Sequence, residues 1–183
     1  MDNGESSYRR FLEGDNEGLH EIICTYRQGL MLYLNSLVRN IHTAEELTED
    51  TFFELMKKRP EFSGRSSFRT WLYAIGRNTA GKYLRKHSKL STVPIGEQEW
   101  LADEENVERS YIRSEEKIMV HQAMRRLKSE YRQVLYLSYF EGFSNPEAAL
   151  IMEKTDSQIK ALLHNAKKAL RAEMERSGFE YEE

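Results

Sequence analysis

One cysteine, Cys24, is all the sequence contains, so no disulfide can close within a chain and no zinc site can be built on cysteines. Prolines number only three, and almost no stretch alternates apolar and polar residues as a half-buried strand would. No apolar run approaches the roughly 20 residues needed to cross a bilayer. The opening MDNGESSYRR has no apolar stretch behind its basic pair, which speaks against a secretory leader and for a cytoplasmic protein not embedded in a membrane. Catalytic hardware is scarce as well. His20 and Cys24 sit four residues apart and Glu45, Glu46, Glu49 and Asp50 cluster. Yet no second ligand pair, phosphate-cradling glycine loop or nucleophile–base constellation accompanies them. Catalysis, metal and cofactor are therefore not expected.

What remains is polar and helical. With 39% hydrophobic and 31% charged residues in a chain of 183, small helical units with thin cores are favoured over one large core. The 27 basic and 30 acidic residues leave a net charge of -3, but they are segregated. Between Ser63 and Lys89 lie Arg65, Arg69, Arg77, Lys82, Arg85, Lys86 and Lys89 without one acid, whereas residues 90–117 are mainly acidic. Such blocks create local fields of one sign that steer a polyanion or an oppositely charged partner.

The organisation follows from periodicity. Leu12, Leu19, Ile22, Ile23, Tyr26, Leu30, Leu34 and Leu37 recur at helical spacing. Thr43 and Glu46 form a capping-box pattern that predicts a helix starting near Ala44 and ending before Pro60. A loop to Ser67 and a helix over 68–87 follow. Residues 89–114 read as a flexible acidic linker with a short turn near Trp100. From about Glu115 a second helical unit begins. There the pairs Ser144/Glu147 and Thr155/Gln158 predict a short helix, a turn at 153–155 and a longer helix, together a helix-turn-helix. The expected fold is all-α: a domain over 1–88, a linker over 89–114 and a second domain over 115–183, with no single arrangement of the two.

Three helix faces carry function. In the last helix, Ile159, Leu162, Leu163, Ala166 and Leu170 form the stripe expected to be buried. Ser157, Lys160, Ala161, His164, Lys168 and Arg171 lie opposite, small near the start and basic further on, as a helix in the major groove requires. In the 68–87 helix, Phe68, Trp71, Leu72, Ile75 and Thr79 are the expected core. Thr70, Tyr73, Ala74, Arg77, Gly81, Leu84 and Arg85 form the other side, which with Asn78 suits unstacked bases. In the 44–58 helix, Ala44, Leu47, Thr48, Thr51, Phe52 and Leu55 point inward. Glu46, Glu49, Asp50 and Phe53 share an outward arc, an aromatic ringed by charge, which resembles an anchor for a protein partner.

The strings FRTWLY…RN (68–78) and YFEGFS…LLHNAKKALR (139–171) resemble the second and fourth regions of extracytoplasmic-function sigma factors, promoter-recognition subunits of bacterial RNA polymerase. The resemblance spans about 8–174. It implies that Glu46, Leu47, Glu49, Asp50 and Phe53 dock on the clamp helices of the polymerase's largest subunit. It implies a −10 and melting site at Phe62, Ser63, Arg65, Ser66, Ser67, Arg69, Thr70, Tyr73, Arg77, Asn78, Lys82, Arg85 and Lys86. It assigns the −35 element to Ser157, Gln158, Lys160, Ala161, His164, Lys168 and Arg171, and implies contact with the polymerase flap and an anti-sigma partner. The linker would thread the RNA-exit path. Leu162 and Asn165 stand where relatives often carry arginine, and Glu153 and Lys154 where many carry glycine and an apolar residue. No role is assigned to the acidic tail 177–183. Two rivals remain: a sigma-like mimic that sequesters an anti-sigma regulator, and a conventional helix-turn-helix regulator.

Overall fold

The computed structural model describes residues 4–88, 120 and 122–176, and every element among them is helical. The linker 89–114, the residues just after it and the tail 177–183 lie outside the described residues. Four helices form the N-terminal part: α1 Glu5–Leu12, α2 Asn16–Val38, α3 Ile41–Lys58 and α4 Phe68–Ser88. In the C-terminal part, α5 Ser129–Leu135 continues into a π turn, Tyr136–Phe140, followed by α6 Asn145–Met152 and α7 Asp156–Arg176.

Local chemistry sets most boundaries. Asp15 caps α2 by accepting the Glu17 N–H at 3.0 Å. The α2–α3 link is only Arg39, at φ 58, and Asn40. The cap of α3 is Asn40, whose side chain accepts the Thr43 N–H at 2.7 Å. The helix therefore starts three residues before the position that Thr43 and Glu46 predict. Ser67 Oγ accepts the Thr70 N–H at 3.1 Å and opens α4. The loop before it is pinned where the Tyr8 hydroxyl donates to the Pro60 carbonyl at 2.6 Å. There Phe62 packs edge-on to Phe68 and tilted against Trp71.

The stripe of α3 is buried as expected: Ala44, Leu47, Thr48, Thr51, Phe52 and Leu55 all face inward. Leu12 departs from the expected pattern. It ends α1 and is exposed, and Phe11 takes the core position, because α1 is a separate helix whose register breaks at Gly14, φ 104.

The larger departure is that both parts share one continuous core. Buried side chains from Tyr8 through Ala80 and from Met124 through Ala166 form a single cluster. The all-helical fold in two parts is as expected, but the parts pack on each other, α4 against α6 and α2 against α5. Arg132 of α5 is buried and donates through Nε to the Ser36 carbonyl at 2.7 Å, near the C-terminal end of α2 where carbonyls lack helical partners. It also donates to the Leu127 carbonyl. Burial, then the nearby Arg39 and Arg125 charges, pulls its pKa down to about 10.

Helix α2 lies so close to α1 that a Cβ at Gly18 would sit 2.1 Å from the Ser7 carbonyl oxygen and 3.0 Å from the Phe11 nitrogen. Backbone cannot swing aside as a flexible side chain can. Gly18→Ala is expected to destabilise the protein by about 2–3 kcal/mol despite its better helix propensity, read as a lower midpoint in urea unfolding.

Candidate protein and nucleic-acid interfaces

The four residues of the α3 arc are presented as expected, and of the five in the docking set only Leu47 lies inside. Glu46, Glu49, Asp50 and Phe53 are exposed, with Phe53 keeping 51% of its surface open. Leu47 is buried and belongs to the core. It also floors one end of a groove of ≈ 450 Å³ between α3 and α4, where Phe53 and Tyr83 are rimmed by Lys57, Lys82 and Lys86. Lys57 Nζ lies 5.7 Å from the Phe53 ring centroid. Hydrogen bonding from Lys58 at 2.7 Å, aided by Lys82 at 3.8 Å, outweighs burial at Glu54 and holds its carboxyl below the usual range.

The basic block divides into an open and a covered set. Ser63, Arg65, Asn78, Lys82, Arg85 and Lys86 are exposed, whereas Phe62, Ser66 and Ser67 are half-buried in loop packing and capping. Thr70 and Tyr73 are each 1% exposed, and Arg69 and Arg77 are half-buried. The amphipathic reading of α4, with Tyr73 open to solvent, is thus corrected. One side of α4 packs on α2 and α3, and the other is covered by α6 and the turn before it.

The cover is charged. Arg69 Nη2 donates to both the carbonyl and the Oε2 of Glu141 at 2.6 Å. The Tyr73 hydroxyl donates to the same Oε2 at 2.6 Å. Burial first, then the charge of Glu141, pushes the Tyr73 pKa well above that of an ordinary phenol, so it remains a donor. The Arg69 guanidinium lies 4.2 Å from the Phe143 ring centroid, and Phe143 meets Tyr73 edge-on at 5.0 Å. Thr70 Oγ1 donates to Glu147 Oε1 at 3.3 Å, and Arg77 pairs with Glu153 at 3.4 Å. No helical period marks Glu141 as a partner of α4. The only hint is the acid-glycine-aromatic string 141–143 that follows the π turn.

The helix-turn-helix forms as its capping boxes require. Ser144 Oγ accepts the Glu147 N–H at 3.5 Å while Glu147 Oε2 accepts the Ser144 N–H at 2.9 Å. Thr155 Oγ1 accepts the Gln158 N–H at 3.2 Å, and Gln158 Oε1 accepts the Thr155 N–H at 2.9 Å. Along α7, Ile159 and Ala166 are buried and Leu162, Leu163 and Leu170 half-buried. Ser157, Gln158, Lys160, Ala161, His164, Lys168 and Arg171 are all exposed on the opposite side. Lys160 and Arg171 make pairs within the helix, to Asp156 at 2.7 Å and Glu175 at 3.0 Å. Among the described residues no group of His, Cys, Asp and Glu could hold a metal, and no helix is long and apolar enough to cross a membrane.

Comparison with known proteins agrees with this architecture. The family models Sigma-70 region 2 and Sigma-70, region 4 match residues 22–90 and 117–170. The two matches, in this order along the chain, define a sigma factor of the sigma-70 type. RNA polymerase sigma factor YlaC of Bacillus subtilis is 28% identical over 163 residues, covering 88% of this chain and 94% of that one. ECF RNA polymerase sigma factor SigX of the same organism is 27% identical, covering 82% and 80%. The fold is also that of CnrH, solved in complex with the cytosolic domain of CnrY, with TM-score 0.69, 16% identity and coverage of 96% and 99%. It is shared by RpoE of Bartonella quintana, solved with the anti-sigma factor NepR, with TM-score 0.67, 22% identity and coverage of 85% and 96%. The chain belongs to the extracytoplasmic-function sigma factors and is an alternative sigma factor that binds core RNA polymerase and promoter DNA.

Within the turn, Glu153 adopts φ 54, the left-handed conformation that favours glycine. Glu153→Gly is expected to relieve that strain at the loss of a half-exposed pair to Arg77. It should raise the unfolding free energy by up to about 1 kcal/mol, measured as a higher thermal midpoint.

Proposed function

We infer that the α7 face reads the promoter −35 element through Ser157, Gln158, Lys160, Ala161, His164, Lys168 and Arg171. The observation that carries this reading is that all seven are exposed on one side of the second helix of a doubly capped helix-turn-helix. Short residues at the N-terminal end let the helix approach base edges, and Lys168 and Arg171 reach phosphates. The absence of arginine at Leu162 and Asn165 limits the number of phosphate contacts and so the salt dependence.

The −10 element falls to the loop and α4: Phe62, Ser63, Arg65, Ser66, Ser67, Arg69, Thr70, Tyr73, Arg77, Asn78, Lys82, Arg85 and Lys86. Strand opening needs no chemical catalysis. A surface that binds unstacked bases more tightly than paired ones shifts the equilibrium by that difference. The α3 arc of Glu46, Glu49, Asp50 and Phe53, with Leu47 beneath, docks on the clamp helices of the polymerase, Phe53 being the anchor and the acids its rim. The protein acts by binding, in the cytoplasm with its polymerase. The domains run over 1–88 and 115–183, and the intervening acidic segment follows the RNA-exit path. An anti-sigma factor restrains the free protein, a reading supported by the partner present with RpoE.

Run-off transcription with bacterial core polymerase on a fragmented genomic library tests the assignment and delivers the promoter. Phe53→Ala should weaken core binding about tenfold or more, since buried aromatic anchors exceed ~1 kcal/mol on truncation, without loss of helicity. Lys168→Ala should leave core binding unchanged, weaken promoter binding across sequences, and lower the salt slope by about 1. Transcripts insensitive to both changes would sink the residue assignment.

A further inference from the structure

Four of the side chains proposed to grip the melted −10 strand are engaged by the C-terminal part. Arg69 is held by Glu141, Tyr73 is buried beneath Phe143 and bonded to the same carboxylate, Thr70 meets Glu147, and Arg77 meets Glu153. Three acids of the C-terminal part thus stand against the positions where a polyanion would bind. A carboxylate accepting from a guanidinium and a hydroxyl offers the same acceptor geometry as a phosphate oxygen. The π turn Tyr136–Phe140, with Tyr136 and Phe140 stacked at 5.2 Å, delivers Glu141 to this place.

A second observation is the slot that receives it. Gly29 of α2 carries no side chain where a Cβ would lie 2.6 Å from the Tyr73 hydroxyl oxygen and 2.8 Å from Glu141 Oε1. Glycine costs a helix interior roughly 1 kcal/mol relative to alanine, and here it opens room for the carboxylate.

Closure is also incompatible with reading both promoter elements at once. Sites about 25 base pairs apart at ~3.4 Å per pair are separated by roughly 85 Å along the duplex, whereas α4 and α6 are in contact. The stretch of about 30 residues between Ser88 and Val120 has a contour of up to roughly 100 Å, enough to span the gap once the parts separate.

We propose that the turn and helix at 141–153 form an internal plug, in which Glu141 occupies on Arg69 and Tyr73 the place of a nucleic-acid phosphate. The free protein is then closed and opens only on polymerase. This inference rests on the −10 assignment made above. The plug regulates that site, and its failure can be separated from failure of the assignment.

The experiment measures the distance between spin labels on the native exposed Cys24 and on an Ala172→Cys substitution, in the full chain without polymerase. The distance is compared among otherwise unchanged protein, Glu141→Gln and Gly29→Ala. The first variant removes the charge and leaves the shape. The second adds one methyl that displaces two flexible side-chain ends, so the helix itself is spared. The unsubstituted protein should give one narrow distance, and both variants a broad, longer distribution. Circular dichroism should show unchanged helicity. In run-off transcription at limiting protein, both variants should yield at least threefold more transcript. A broad distribution already present without substitution overturns the plug. So does opening without any gain in transcription, although the sigma assignment then stands. Transcripts absent from every version would overturn the assignment and the plug with it, whatever the distances show.

Discussion

Where α4 meets the turn before α6, a guanidinium and a phenol donate to one carboxylate oxygen, with an aromatic ring closing over the guanidinium. Such charge-assisted bonds are strong because water is largely excluded, and for the same reason each partner is costly to leave alone. Arg69 is held above its ordinary pKa because the bonds and charge of Glu141 and Tyr73 overcome the opposing effect of burial. The arrangement of the two halves depends on this contact and on Arg132, which reaches from α5 to the end of α2. Both bind polar groups across an otherwise apolar seam. The seam is therefore specific in register.

How much was legible in the sequence divides along the same line. The helix-turn-helix could be read because its determinants are local: Ser144 with Glu147 and Thr155 with Gln158 act within three residues of each other. The buried stripe of α3 could be read because one face meets one core. The start of α3 was misplaced because Asn40, three residues before Thr43, caps the helix and draws Thr43 into its first turn. For α4, periodicity failed on its second side. A helix sandwiched between two layers buries residues that a single-stripe reading assigns to solvent, and Thr70 and Tyr73 are the result. Their partners lie 77 and 68 residues away, where no local signal reaches. The exposed arcs of α3 and α7 were legible because nothing among the described helices covers them.

The two halves differ in how their functional surfaces are maintained. The α7 face is set by local capping between Thr155 and Gln158, with no residue of the N-terminal part in that cap. The α4 face depends on what lies against it, since a buried phenol and half-buried arginines must find replacement partners once the seam opens. A nucleic acid that supplies phosphates and stacking surfaces satisfies the same groups that Glu141 and Phe143 satisfy. The exchange is one of like for like, so its equilibrium can lie close to balance and respond to a partner of modest affinity.

The separation of 72 residues between Arg69 and Glu141 also sets a clock during synthesis. At roughly 5–20 residues per second, the ribosome completes the first four helices at Ser88, 53 residues and so about 3–11 seconds before it adds Glu141. For that interval the nascent chain carries a folded half whose basic face has no internal competitor. Polyanions near the translating ribosome, its own RNA included, meet that face with Arg69 and Tyr73 uncovered, whereas Glu141 holds both in the finished protein.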